Sequence, residues 1–122
     1  MKYYAHHTCI KVSDIERSRA FYEKALGFRE DMVVHHTPVV TSAFLISADD
    51  AIRIQLLQMP GAEISHMGYG HLGMRVEDIQ ESLAFHQKLG CVSQGLVEQP
   101  HQLNYFVMDP DGYETEIVQP KI

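Results

Sequence analysis

This sequence predicts an α+β fold of two paired βαβββ modules, and three observations predict it. The chain repeats itself about half-way along, each copy holds one stretch of helical spacing, and the remainder alternates apolar and polar residues with the period of a strand. At 122 residues the chain suits one ordinary domain and is too short for two independent ones. A single domain over residues 1–122 is therefore expected, made of modules at about 1–60 and 69–122.

The repeat is read directly. Residues 7–24 are HTCIKVSDIERSRAFYEK and residues 71–88 are HLGMRVEDIQESLAFHQK. At a constant offset of 64, His7 meets His71, Lys11-Val12 meets Arg75-Val76, and Asp14-Ile15 meets Asp78-Ile79. Ser18 then meets Ser82 and Ala20-Phe21 meets Ala84-Phe85, and a Leu-Gly pair closes both copies (Leu26-Gly27, Leu89-Gly90). At the far ends IRIQLLQMP lies against YETEIVQP, so that Gln55 faces Glu116 and Gln58 faces Gln119. Pro60 to Gly70 joins the copies and holds four Gly/Pro breakers.

Within the first module, His7–Val12 alternates, with Thr8, Ile10 and Val12 on one face and His7, Cys9 and Lys11 on the other. A helix from about Ser13 to Leu26 opens on a capping-box pattern, Ser13-x-x-Glu16, and turns Ile15, Ser18, Tyr22 and Ala25 inward with Phe21 on the flank. It stops at Gly27, and residues 28–36, 39–47 and 51–58 read as strands, the last two joined by an Asp49-Asp50 turn. The second module offers a strand over 69–76, a helix from Asp78 to Leu89 and strands over 91–98, 102–108 and 112–119. Asp109-Pro110-Asp111-Gly112 is a hairpin turn, because Pro presets the bend and Gly accepts a positive dihedral.

Composition narrows the function. Hydrophobic residues are 45% and charged residues 21%, a globular balance, and no apolar run reaches the roughly 18–20 residues of a membrane span. Ten Lys+Arg against 16 Asp+Glu give a net charge of -6 without a basic block, so nucleic-acid binding is not expected. Met1-Lys2-Tyr3-Tyr4-Ala5 lacks an apolar secretory stretch, which makes a cytoplasmic location the expectation. Two cysteines, Cys9 and Cys91, are too few for a disulfide framework and read as buried free thiols in a reducing compartment.

Strand parity then selects a site. Arg53, Gln55 and Leu57 oppose the apolar Ile52, Ile54 and Leu56. Glu114, Glu116 and Val118 oppose Thr115 and Ile117, while His71, Gly73 and Arg75 oppose Leu72, Met74 and Val76. With each module's strands curled into half a barrel, two mixed sheets would form a cavity and gather His7, Gln55, His71 and Glu116 at one centre. Two imidazoles and two oxygen donors suit one divalent first-row metal ion (Ni, Co, Mn, Zn or Fe), with Glu116 as the single anionic ligand. His6 falls opposite Gly70 and has the wrong parity, so His7 is preferred. Lys11, Arg53 and Arg75 are candidates to steer an anionic substrate. Of the other histidines, His35-His36 read as a solvated loop near Pro38, His66 and His101 as parts of flexible segments, and His86 as helix surface.

HTCIKVSDIERSRAFYEKALGF, GHLGMRVEDI and DPDGYETEIVQ together make the chain resemble the vicinal oxygen chelate superfamily over essentially its whole length. That group includes glyoxalase I, methylmalonyl-CoA epimerase, extradiol dioxygenases, fosfomycin-resistance thiol transferases and bleomycin-binding proteins. The resemblance implies metal ligands at His7, Gln55, His71 and Glu116, and a homodimer. It is most similar to glyoxalase I (lactoylglutathione lyase)-like proteins, which implies isomerisation of a thiol hemithioacetal of a 2-oxoaldehyde through an enediolate. Glu116 would move the proton and Lys11 would meet a substrate carboxylate. Gln55 departs from that pattern, where those enzymes have a second glutamate, and His-Gln-His-Glu is the set of methylmalonyl-CoA epimerases. An epimerase needs a second base, and Val39-Val40-Thr41-Ser42-Ala43-Phe44-Leu45 holds no acid. A carbon-acid epimerase and a non-catalytic antibiotic-binding protein are the alternatives.

Overall fold

The computed structural model describes residues 1–65 and 68–121. The chain divides into two compact units, Met1–Ser65 and His66–Ile122. The first carries β1 (Thr8–Lys11), α1 (Ile15–Leu26), β2 (Arg29–His35), β3 (Thr41–Ile46) and β4 (Arg53–Gln58). The second repeats the order with β5 (Leu72–Arg75), α2 (Ile79–Leu89), β6 (Val92–Glu98), β7 (Gln102–Met108) and β8 (Glu114–Pro120). The α+β class and the paired βαβββ modules of the sequence reading are what the chain forms.

Each unit is a mixed four-stranded sheet, ordered β1-β4-β3-β2 in the first and β5-β8-β7-β6 in the second. The first strand lies parallel beside the last, and the remaining pairs are antiparallel. The expectation of curled sheets forming a cavity is corrected here: among the described residues both sheets are open, the first ending at β1 and β2 and the second at β5 and β6. Four strands twisting by about 20–25° each turn through less than a right angle, which falls well short of closing a sheet. A groove of about 290 Å³ lies on the helix side of the first sheet, lined by α1, β2 and β3 and by Gln58.

Helix packing follows the periodicity. The buried residues of α1 are Ile15, Ser18, Tyr22 and Ala25, and they meet a sheet face that buries Ala43, Leu45, Ile54 and Leu56. The N-cap of α1 is Asp14, not Ser13: its carboxylate accepts from the Arg17 N–H at 3.1 Å, while the Ser13 hydroxyl instead accepts from the Arg17 guanidinium. A carboxylate satisfies the exposed N–H and also suits the positive end of the helix dipole. Asp78 does the same for α2, accepting from the Gln80 and Glu81 N–H groups. Both helix starts are also tied to the last strand. The Ile15 N–H donates to Gln58 Oε1 at 2.7 Å and the Ile79 N–H to Gln119 Oε1 at 2.8 Å. Gly27 and Gly90 end the helices at φ 70° and 77°, the left-handed region where a side chain is strained.

The second core differs where the first has Tyr22 and Ala43. His86, expected on the surface, is 3% exposed on α2. Its Nδ1 and the Ser82 hydroxyl both lie 2.6 Å from the Tyr105 hydroxyl of β7. A buried imidazole is tolerated because that phenol supplies a partner. Cys9 and Cys91 are free as expected, although Cys9 is exposed and Cys91 half-buried. No helix among the described residues is long and apolar enough to cross a membrane.

Candidate metal centre

The sheet register places the selected side chains in matching positions in the two units. In the first, Gln55 of β4 pairs with Cys9 of β1 and with Phe44 of β3. In the second, Glu116 of β8 pairs with Gly73 of β5 and with Phe106 of β7. His7 and His71 each stand two residues before the paired residue of the first strand and so share its face. His7 meets the Phe44 ring edge-on at 5.4 Å between centroids, and His71 meets Phe106 at 5.2 Å. Each unit thus repeats one arrangement of imidazole, phenyl ring and last-strand donor.

The donors are held by polar residues of the third strand. Gln55 donates its amide N–H to the Ser42 hydroxyl at 2.7 Å, which leaves its carbonyl oxygen as the free end. Ser42 is fully buried and also lies 2.8 Å from His36 Nε2. Glu116 accepts from Asn104 at 3.0 Å and from Gln102 at 3.3 Å, both on Oε2. Its other oxygen, Oε1, stands 3.4 Å from His71 Nε2. Before β1, His6 and His7 face each other through their Nδ1 atoms at 2.7 Å, which leaves Nε2 of His7 for another partner.

His71 and Glu116 have the spacing of two ligands of one divalent first-row cation. Two ligands at bond lengths of about 2.0–2.2 Å stand about 3.0–3.5 Å apart, which matches the separation of His71 and Glu116. Among the described residues no three His, Cys, Asp or Glu side chains are grouped so as to hold a metal ion. The structure therefore brings the selected residues together as a pair, His71 with Glu116. His7 and Gln55 share a face of the first sheet, and both adjoin Phe44.

Of the candidate cations, Lys11 ends β1 and is exposed, and Arg75 pairs with Glu77 at 2.9 Å on the surface. Arg53 is the most constrained. It lies 4.3 Å from the centre of the Phe44 ring and reaches Asp31 of β2 through Nε at 2.7 Å and Nη2 at 2.6 Å. At the matching place in the second sheet stands Glu114, whose carboxyl is held below its usual range by hydrogen bonds from Gln94 and then Ser93. Sequence reasoning missed Ser42, Phe44, Asn104, Phe106, Gln102 and Asp31. Extending the repeat through the third strand would have aligned Ser42-Ala43-Phe44 with Asn104-Tyr105-Phe106. Among the weaker histidines, His35 ends β2 exposed, His36 reaches Ser42, His101 is exposed, and His66 lies outside the described residues.

A profile of the Glyoxalase/Bleomycin resistance protein/Dioxygenase superfamily matches residues 4–117. The chain belongs to that superfamily. Among its glyoxalase relatives, a lactoylglutathione lyase from Haemophilus influenzae is 33% identical over 123 residues, spanning 94% of this chain and 91% of its own. The trypanothione-dependent glyoxalase I of Leishmania major has a similar structure, with a TM-score of 0.76 and 29% identity over 93% of this chain and 84% of that one. An antibiotic-binding protein from Streptomyces sp. CB03234 shares the superfamily fold at a TM-score of 0.80, with 20% identity across 99% of this chain and 100% of that one.

Proposed function

We propose that this superfamily member is a divalent-metal-dependent isomerase of the glyoxalase I type, acting on a thiol hemithioacetal of a 2-oxoaldehyde. The observation that carries the reading is the His71–Glu116 pair, a nitrogen and a carboxylate oxygen at the spacing of two ligands of one ion. Similarity to lactoylglutathione lyases over nearly the whole chain supports it. On this reading His7 and Gln55, the repeat-equivalent donors of the first unit, are the remaining ligands, and the protein works as a homodimer.

When bound, the ion supplies positive charge against the negative charge that develops on the substrate's neighbouring oxygens. Glu116 takes the proton from the carbon bearing sulfur and returns it to the adjacent carbonyl carbon. Substrate and product then hold the same atoms, the aldehyde carbon oxidised to a thioester and its neighbour reduced to an alcohol. One base on one face suffices for this transfer, which suits a chain with a neutral amide at Gln55. Lys11, Arg53 and Arg75 orient an anionic thiol carrier.

The test is Glu116→Gln assayed with the hemithioacetal of methylglyoxal and glutathione, alongside adducts of other thiols, at matched metal content. Turnover should fall by about 10²-fold or more, and normal turnover contradicts the assignment. The neutral Gln55 also suits a carbon-acid epimerase. Deuterium exchange with inversion at a chiral thioester centre would favour that chemistry over the isomerase.

A further inference from the structure

Asn104 is a poor choice for stability at its position. It is 5% exposed on β7, and its Oδ1 is buried with no hydrogen-bond partner among the described residues. An orphaned buried acceptor is a net cost, and an apolar residue of the same size would avoid it. What the asparagine provides is the other end of its amide. A carboxylate only accepts, so Nδ2 must face Glu116, where it donates to Oε2 at 3.0 Å. Gln102 reaches the same oxygen at a longer 3.3 Å. With Oε2 taken by two amides, Oε1 is the oxygen directed toward His71 Nε2.

The first unit makes the same provision. Ser42 stands at the matching place on β3, two residues before the phenylalanine that pairs with the last-strand donor. It receives the Gln55 amide at 2.7 Å and so sends the carbonyl oxygen outward. Two different polar residues at one repeat position, each gripping the neighbouring donor by the end not needed for coordination, form a device and not a packing accident.

We propose that Asn104 is the positioning residue of Glu116, with Ser42 its counterpart for Gln55: each commits one end of the side chain so that an oxygen is presented in a fixed direction. The inference rests on the metal reading above and extends it to residues that do not touch the ion. Asn104→Leu removes the donor together with the orphaned acceptor, whereas Asn104→Ser keeps a hydroxyl that can donate to the Glu116 carboxylate. Nickel binding to the full chain, followed by titration calorimetry, should weaken about 10- to 100-fold in Asn104→Leu and remain within about threefold of wild type in Asn104→Ser. The melting temperature of the metal-free Asn104→Leu protein should hold or rise, an outcome that a merely structural asparagine would not give. Crystal structures of the metal-free proteins provide a readout independent of the ion. Glu116 Oε1 should stay beside His71 in wild type and in Asn104→Ser, and leave it in Asn104→Leu. Unchanged nickel affinity, or a Glu116 carboxylate that keeps its place in Asn104→Leu, overturns the proposal. If wild type itself takes no nickel, cobalt, manganese, zinc or iron, the metal reading fails, and the crystal comparison still decides whether Asn104 positions Glu116.

Discussion

Replacing Tyr105 with phenylalanine deletes one atom that serves two partners. The Tyr105 hydroxyl lies 2.6 Å from Ser82 Oγ and 2.6 Å from His86 Nδ1, and both Tyr105 and His86 are buried. Leaving a buried polar group without its partner costs about 1–3 kcal/mol. Ser82 is half-buried and can recover part of its loss from water, so the two together should cost about 2–4 kcal/mol. For a chain of this size that lowers the melting temperature by about 8–16 °C. Thermal unfolding followed by far-ultraviolet circular dichroism reads the change. The triple variant Tyr105→Phe, Ser82→Ala, His86→Leu removes the stranded groups as well and should recover most of the loss. A single variant that melts within about 2 °C of wild type would refute the view that this phenol is what makes a buried histidine tolerable on α2.

Two further expectations concern charge on the sheet faces. Asp31→Asn removes the anion that occupies Arg53 and should lower KM for an anionic thiol adduct about three- to tenfold with kcat little changed; an unchanged KM would separate Arg53 from substrate. Gln94 and Ser93 hold the Glu114 carboxyl below its usual range, with a smaller contribution from the charge of His71. A carboxyl lowered in the folded state adds stability above its unfolded range, and that stability is lost as pH falls through the folded one. Gln94→Ala should therefore raise the Glu114 titration toward the ordinary carboxylate range in a carbon-13 NMR titration and flatten the acid limb of the stability curve. An unmoved titration would show that the Gln94 hydrogen bond is not the cause.

The parts of the fold legible in the sequence were those set by local period. Ile15, Ser18, Tyr22 and Ala25 fall at helical spacing and are the residues α1 buries. The Asp109 turn was legible because its parts are contiguous: the carboxylate accepts from the Asp111 and Tyr113 N–H groups, and Gly112 sits at φ 91°. Sheet curvature was not legible, since alternation says which face a side chain takes and nothing about how far a sheet bends. His86 was misread because its partner, Tyr105, is distant in sequence and on another element, although the repeat already set His86 opposite the core residue Tyr22. At the helix start both Ser13 and Asp14 are competent caps, and only the second recurs, as Asp78. The four candidate donors were selected by the repeat itself. Ser42 and Asn104 became visible only with the β3–β4 and β7–β8 registers, which bring them beside Gln55 and Glu116.

The claim on which the rest depends is that a divalent ion and Glu116 act together on a hemithioacetal. Protein purified without added metal, stripped with a chelator and reloaded separately with nickel, cobalt, manganese, zinc or iron tests it most directly. Turnover should disappear on stripping, return with at least one of these ions at one ion per set of four donors, and not be restored by any of them in His71→Ala. Turnover that survives complete removal of metal would contradict it.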